Sequence, residues 1–161
     1  MAHSRQEAKL RQLLFALAVT LAACATLDAD ADPLPADPEI LRTCVAQAGK
    51  DRAALSDCVG FVTRACIEAE GGPNSMSDVL CRSAEADIWQ TLIEEATVRI
   101  TAADPVDGEL LAAANQTWTQ WREAECNYRA YEFGGGSGEQ YDRIVCHMTL
   151  TAVRAVNLIA D

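Results

Sequence analysis

Residues 117–155 read TWTQWREAECNYRAYEFGGGSGEQYDRIVCHMTLTAVRA, and the pattern of this stretch decides the fold. Two segments of helical periodicity, each carrying one cysteine, flank a glycine-rich turn. In the first segment Trp118, Trp121, Arg122 and Glu125 fall at i, i+3, i+4 and i+7. That spacing sets two indoles, a guanidinium and a carboxylate along one helical face. The first helix is expected from about Asp107 to Tyr131, with Gly134 ending it. Ser137 and Gln140 have the S-x-x-Q form of a capping box for the second helix, which runs to about Ile159. Its apolar side carries Ile144, Val145, Met148, Ala152, Ala155 and Ile159. Gly134, Gly135 and Gly136 lie in the turn between the two. No Lys-Ser/Thr pair follows these glycines, so the segment is not a phosphate loop. Held at both ends, it is a candidate binding loop.

Working upstream, the same periodicity predicts three more helices. Asp37 and Pro38 have the form of an N-cap and first turn, and Gly49 stops the helix they open. Asp51 caps a second helix from about Arg52 to Glu70, ended by Gly71-Gly72-Pro73-Asn74. Ser75 or Ser77 caps a third from about Asp78 to Ala103, and Asp104-Pro105 terminates it. Strand alternation and internal repeats are not seen. The expected fold is all-α, one disulfide-stapled bundle of about five helices over residues 37–161.

The first 23 residues have the form of an export signal. Arg5, Lys9 and Arg11 precede an apolar run from Leu13 to Ala23, too short to be a stable bilayer anchor. Leu21-Ala22-Ala23-Cys24 has the form of a bacterial lipobox, in which Cys24 would be acylated. Ala23-Cys24-Ala25 also fits an ordinary signal-peptidase site. The chain has seven cysteines. Setting Cys24 aside leaves six, an even number that reads as a disulfide framework in an exported protein. This count favours the lipoprotein reading, in the periplasm or anchored to the outer membrane, over free secretion. Residues 24–36, small, acidic and proline-containing, then serve as a tether. Of fifteen possible pairings, local order suggests Cys44–Cys58, Cys66–Cys81 and Cys126–Cys146. There is no C-x-x-C pair and only one histidine, His147, beyond the leader, so neither a zinc site nor any other cofactor is expected.

The last pair makes the two helices of the 117–155 stretch antiparallel. Trp118 and Arg154 each lie eight residues from the bridge, about 12 Å along the axis, so Arg154 is expected near the Trp118 ring or a carboxylate beside it.

Asp and Glu number 24 against 13 Lys and Arg, for a net charge of −11. That excludes a nucleic-acid role, which needs clustered cations, and suits a basic partner. Catalytic machinery is absent from the pattern. Glu94/Glu95 and Glu123/Glu125 are adjacent or i+2 pairs that diverge on a helix, and a nucleophile would have only His147 as a base.

The block Trp118–Cys126 (WTQWREAEC), the GGGSG at 134–138, the second cysteine and the spacing of Thr151, Arg154 and Leu158 resemble the LprI-like lysozyme-inhibitor family. Trp121 stands where most relatives have tyrosine and Glu123 where they have aspartate. Cys44, Cys58, Cys66, Cys81 and the segment CRSAEADIWQTL resemble the family's upstream half, so the likeness covers Pro38 to Leu158. It implies a non-enzymatic envelope protein, lipid-anchored in many members, whose partner is a basic lysozyme-type muramidase. Membrane association would come through the lipid anchor only. A structural or assembly module that binds another envelope component is the alternative. Trp118, Trp121, Arg122, Glu125 and Arg154, with the three glycines, are the candidate binding residues, set against a purely packing role for the tryptophans and the Arg–Glu pair.

Overall fold

The computed structural model of the protein describes residues 35–161. The expected leader at 1–23, the lipidation site Cys24 and the tether up to residue 34 lie outside the described residues. Among those described there are six α-helices, one 3-10 turn and no strand: α1 (Pro38–Ala48), α2 (Arg52–Asp57), α3 (Phe61–Ala69), α4 (Ser75–Ala103), α5 (Pro105–Ala130), the turn Tyr131–Phe133, and α6 (Gly136–Ala160).

There is one helix more than expected because the span 52–70 is broken. Gly60 takes φ +86, and α2 ends at Asp57. The left-handed conformation at Gly60 is open to glycine at little cost. The new N-terminus of α3 has no cap from its own neighbourhood. Glu85, a fully buried residue of α4, does the work across space. Its Oε1 accepts from the Gly60 amide at 2.6 Å and from Trp89 Nε1 at 3.1 Å, while Oε2 accepts from the Thr63 amide at 2.7 Å. A carboxylate at a helix N-terminus satisfies orphan amides and suits the positive end of the dipole.

The other helix starts follow local chemistry. Asp37 accepts from the Glu39 amide, and Asp51 from those of Ala53 and Ala54. At α4 the cap is Asn74, bonded to the amides of Met76 and Ser77, and not a serine. Asp104 accepts from the amides of Val106 and Asp107, so α5 starts at Pro105, earlier than the expected Asp107. Gly108 is therefore inside a helix. It faces Thr101 so closely that a Cβ there would lie 2.5 Å from Oγ1 and 2.7 Å from Cβ of that residue. Gly108→Ala is expected to destabilise by about 1–3 kcal/mol through overpacking, despite alanine's better helix propensity. Urea unfolding checks this, and a stabilised variant would contradict the close approach.

The core lies where α1, α2 and α3 cover α4 and α6, and includes Leu41, Leu55, Val62, Trp89, Ile93 and Val156. Helix α6 is long and apolar enough to cross a membrane, and here Met148, Ala152 and Ala155 of it are buried. Arg42 of α1 grips Glu95 of α4 in a two-point pair at 3.1 and 2.6 Å. Helix α5 lies alongside α4 and α6, and of its side chains Leu111 and Trp118 pack against the central cluster. Disulfides join Cys44 to Cys58, Cys66 to Cys81 and Cys126 to Cys146.

Candidate functional site

Helix α5 carries two stripes at three- and four-residue spacing. The inner one contains Gly108, Leu111, Asn115, Trp118, Arg122 and Cys126, and it meets α4 and α6. Its partners on α6 run in reverse order. Asn115 meets Arg154, Arg122 meets Thr151, Glu123 meets His147, and Cys126 is bonded to Cys146. The two helices are antiparallel.

Arg122 is the centre of this seam, 7% exposed. Its Nη1 donates to Thr151 Oγ1 at 2.7 Å and its Nη2 to Glu123 Oε1 at 3.1 Å. Its guanidinium carbon stands 4.8 Å from the centre of the Trp118 ring, a cation–π distance. Thr151 passes the chain on by donating to the His147 carbonyl at 2.7 Å, and His147 Nε2 lies 2.7 Å from Glu123 Oε1. A planar five-donor cation suits such a junction. Arg122 Nε is buried without a partner. A charge held in this way resists any shift of α5 along α6.

Burial drives the Glu123 carboxyl upward, but the hydrogen bond and charge of His147, followed by those of Arg122, outweigh it and leave the group below its ordinary value of 4.5. A depressed carboxylate contributes stability that is present above the unfolded value and lost as pH falls through the folded one. Glu123→Gln should therefore narrow the gap to the parent chain below pH 4.5 and leave it widest near neutrality. Thermal unfolding across that range tests the sign, and a gap that widens in acid would contradict it.

The four residues expected on one face part company. Trp118 and Arg122 come together at the seam. Trp121, at the edge of the same arc, is 49% exposed. Glu125 pairs with Arg129 of its own helix at 2.7 Å. Arg154 does not reach the Trp118 ring as its cation, since Arg122 already occupies that position. Instead Arg154 Nε and Nη2 donate to Asn115 Oδ1 at 3.1 and 2.7 Å, and Asn115 Nδ2 donates to Thr97 Oγ1 at 3.0 Å. One amide thus ties α4, α5 and α6 together.

The glycine turn is shorter than expected. Gly134, Gly135 and Gly136 have φ values of +65, +105 and +80, a run that glycine alone tolerates in succession. Helix α6 begins at Gly136 behind Gly135, with no side-chain cap, so the Ser137–Gln140 box does not form. Gly138 lies inside α6, where a Cβ would come 3.2 Å from the ring of Phe133. Glu123, His147 and Thr151 join the seam without having been singled out as a cluster. The signal was there in the reversed register that a Cys126–Cys146 bridge imposes on two antiparallel helices.

The outer stripe of α5 contains Val106, Leu110, Thr117, Trp121 and Tyr128 and continues into Tyr131 of the 3-10 turn. All are exposed. Beside it a shallow groove of about 530 Å³ is lined by Ala113, Ala114, Thr117, Trp118 and Trp121.

The family model for lysozyme inhibitor LprI matches residues 66–158. The match takes in the Cys66–Cys81 and Cys126–Cys146 bridges, all of α4 and α5 and nearly all of α6. It begins within α3 and leaves out α1 and α2. No curated protein and no solved structure matches the chain.

Proposed function

The chain belongs to the lysozyme inhibitor LprI family, and from that premise we propose that it is an exported, non-enzymatic envelope protein that binds and inhibits a basic lysozyme-type muramidase. The family match over more than half of the chain carries this reading. The net charge of −11 supports it, because an acidic protein attracts a cationic one and gains association rate from doing so. The α5–α6 hairpin also supports it. The bridge, the Arg122 junction and the Asn115 clamp hold one face rigid before any partner arrives, which lowers the entropic cost of binding.

Export rests on the leader at 1–23, and anchoring on acylation of Cys24. The intact mass of protein recovered from membranes separates a diacylated chain beginning at Cys24 from one cut before Thr26. Function is tested by lysozyme turnover on cell-wall substrate with added purified protein. Inhibition at micromolar or lower concentration is expected. Unchanged turnover across lysozyme classes would remove the reading, and a stable envelope partner in membrane pull-downs would then favour an assembly role.

A further inference from the structure

We propose that the docking surface is the outer stripe of α5 carried on through the Tyr131–Phe133 turn, and that its occupant is the cationic muramidase itself. This rests on the function proposed above. The stripe is long and unusually apolar for a helix face turned to solvent. Leu110 is 67% exposed, Tyr128 71%, Tyr131 80% and Phe133 54%. Contiguous exposed apolar surface with aromatic centres marks interaction sites. Tryptophan and tyrosine are the residues that dominate binding energy when a partner covers them.

The surroundings choose the partner. Asp107, Glu109, Glu125 and Glu132 border the stripe, and the one exposed cation of α5, Arg129, is already engaged by Glu125. Trp121 walls the groove floored by Ala113, Ala114 and Thr117. Arg122 covers the Trp118 ring from the inner side, whereas among the described residues no cation stands over Trp121. An arginine or lysine of the partner laid in this groove would meet an open indole face and nearby carboxylates, a combination selective for cations. A second copy of the chain would bring the same acids opposite one another, and an anionic bilayer would be repelled by them.

The test uses the full-length chain with a basic lysozyme. Trp121→Ala, Tyr128→Ala/Tyr131→Ala and Glu109→Lys/Glu132→Lys are compared with the parent by inhibition, by salt-dependent association rate, by sedimentation and by flotation with phosphatidylglycerol vesicles. All these side chains are substantially exposed, so near-parental melting temperatures are expected and establish that each variant is folded. The first two variants should weaken inhibition by roughly ten-fold or more. The third should slow association most at low salt. If the parent inhibits and every folded variant inhibits equally, the surface lies elsewhere and the function proposed above stands. If the parent neither binds nor inhibits lysozyme, that function falls and the docking surface with it. A parent dimer dissolved by Trp121→Ala, or vesicle flotation lost in the aromatic variants while inhibition persists, also overturns the assignment.

Discussion

Glu85→Ala is expected to lower the stability of the folded chain by roughly 3–5 kcal/mol. Three buried or nearly buried donors depend on that carboxylate: the amides of Gly60 and Thr63 and the indole of Trp89. Trp89 and Glu85 are both fully buried, so water has no ready route to replace the lost acceptor. An unsatisfied buried donor costs about 1–3 kcal/mol, and the truncation also leaves a void beside the largest core side chain. For a domain of this size the melting temperature should fall by on the order of 10–20 °C. Glu85→Gln separates acceptor loss from volume loss. With its carbonyl in the place of Oε1 it still serves Gly60 and Trp89, but its amide group then faces the Thr63 N–H. About half the effect of the alanine variant is expected. Hydrogen exchange at the Gly60 and Thr63 amides should quicken in both. An alanine variant within about 1 kcal/mol of the parent in urea unfolding would show that the helix start at Gly60 is held by something else.

Removing the third bridge, by Cys126→Ala/Cys146→Ala, is expected to cost about 3 kcal/mol on chain-entropy grounds for a loop of this length. The closed segment spans 20 residues. The cost falls on a particular place. Leu111 and Trp118 are the α5 side chains packed against the central cluster, and between Arg122 and Ala130 the helix buries little besides Cys126. Without the bridge, α5 is retained by those two side chains, the Arg122 junction and the Asn115 clamp. Inhibition of lysozyme should weaken more than the melting temperature alone would suggest, because the outer stripe loses its rigid backing. Paired thermal and inhibition measurements decide the point. Full inhibition by a chain destabilised to this degree would show that the stripe does not need to be held in advance.

Much of the bundle could be read in advance where a residue acts on its own neighbours. Asp37 and Asp51 cap the helices that follow them, Asp104-Pro105 divides α4 from α5, and the glycines at 134–136 turn the chain into α6. What escaped reading depends on distant partners. Gly60 sits within an unbroken helical pattern, and the residue that makes a break affordable there, Glu85, is 25 positions away. The face holding Trp118, Trp121, Arg122 and Glu125 looks uniform by spacing, yet the arc is split where the helix packs against α4 and α6. Trp118 and Arg122 go to the seam, and Trp121 is left to solvent. Arg154 faces α5 but meets neither the Trp118 ring nor a carboxylate beside it, because Arg122, one turn from Trp118 on the same helix, occupies the ring first. Asn115 then becomes the acceptor that Arg154 finds.

The three sulfur bridges join consecutive cysteines, with separations of 14, 15 and 20 residues and no crossing. Ring closure becomes harder as the intervening chain lengthens, so the shortest rings are the ones random encounter makes first. Of the six bridged cysteines, Cys58 and Cys66 stand closer together in the chain than any bonded pair, so their ring is the early one that must be undone, and the three mature rings are the next shortest. Regeneration in a glutathione redox buffer should then outperform air oxidation, because a free thiol is needed to reopen the Cys58–Cys66 ring before the staples of those two cysteines can close.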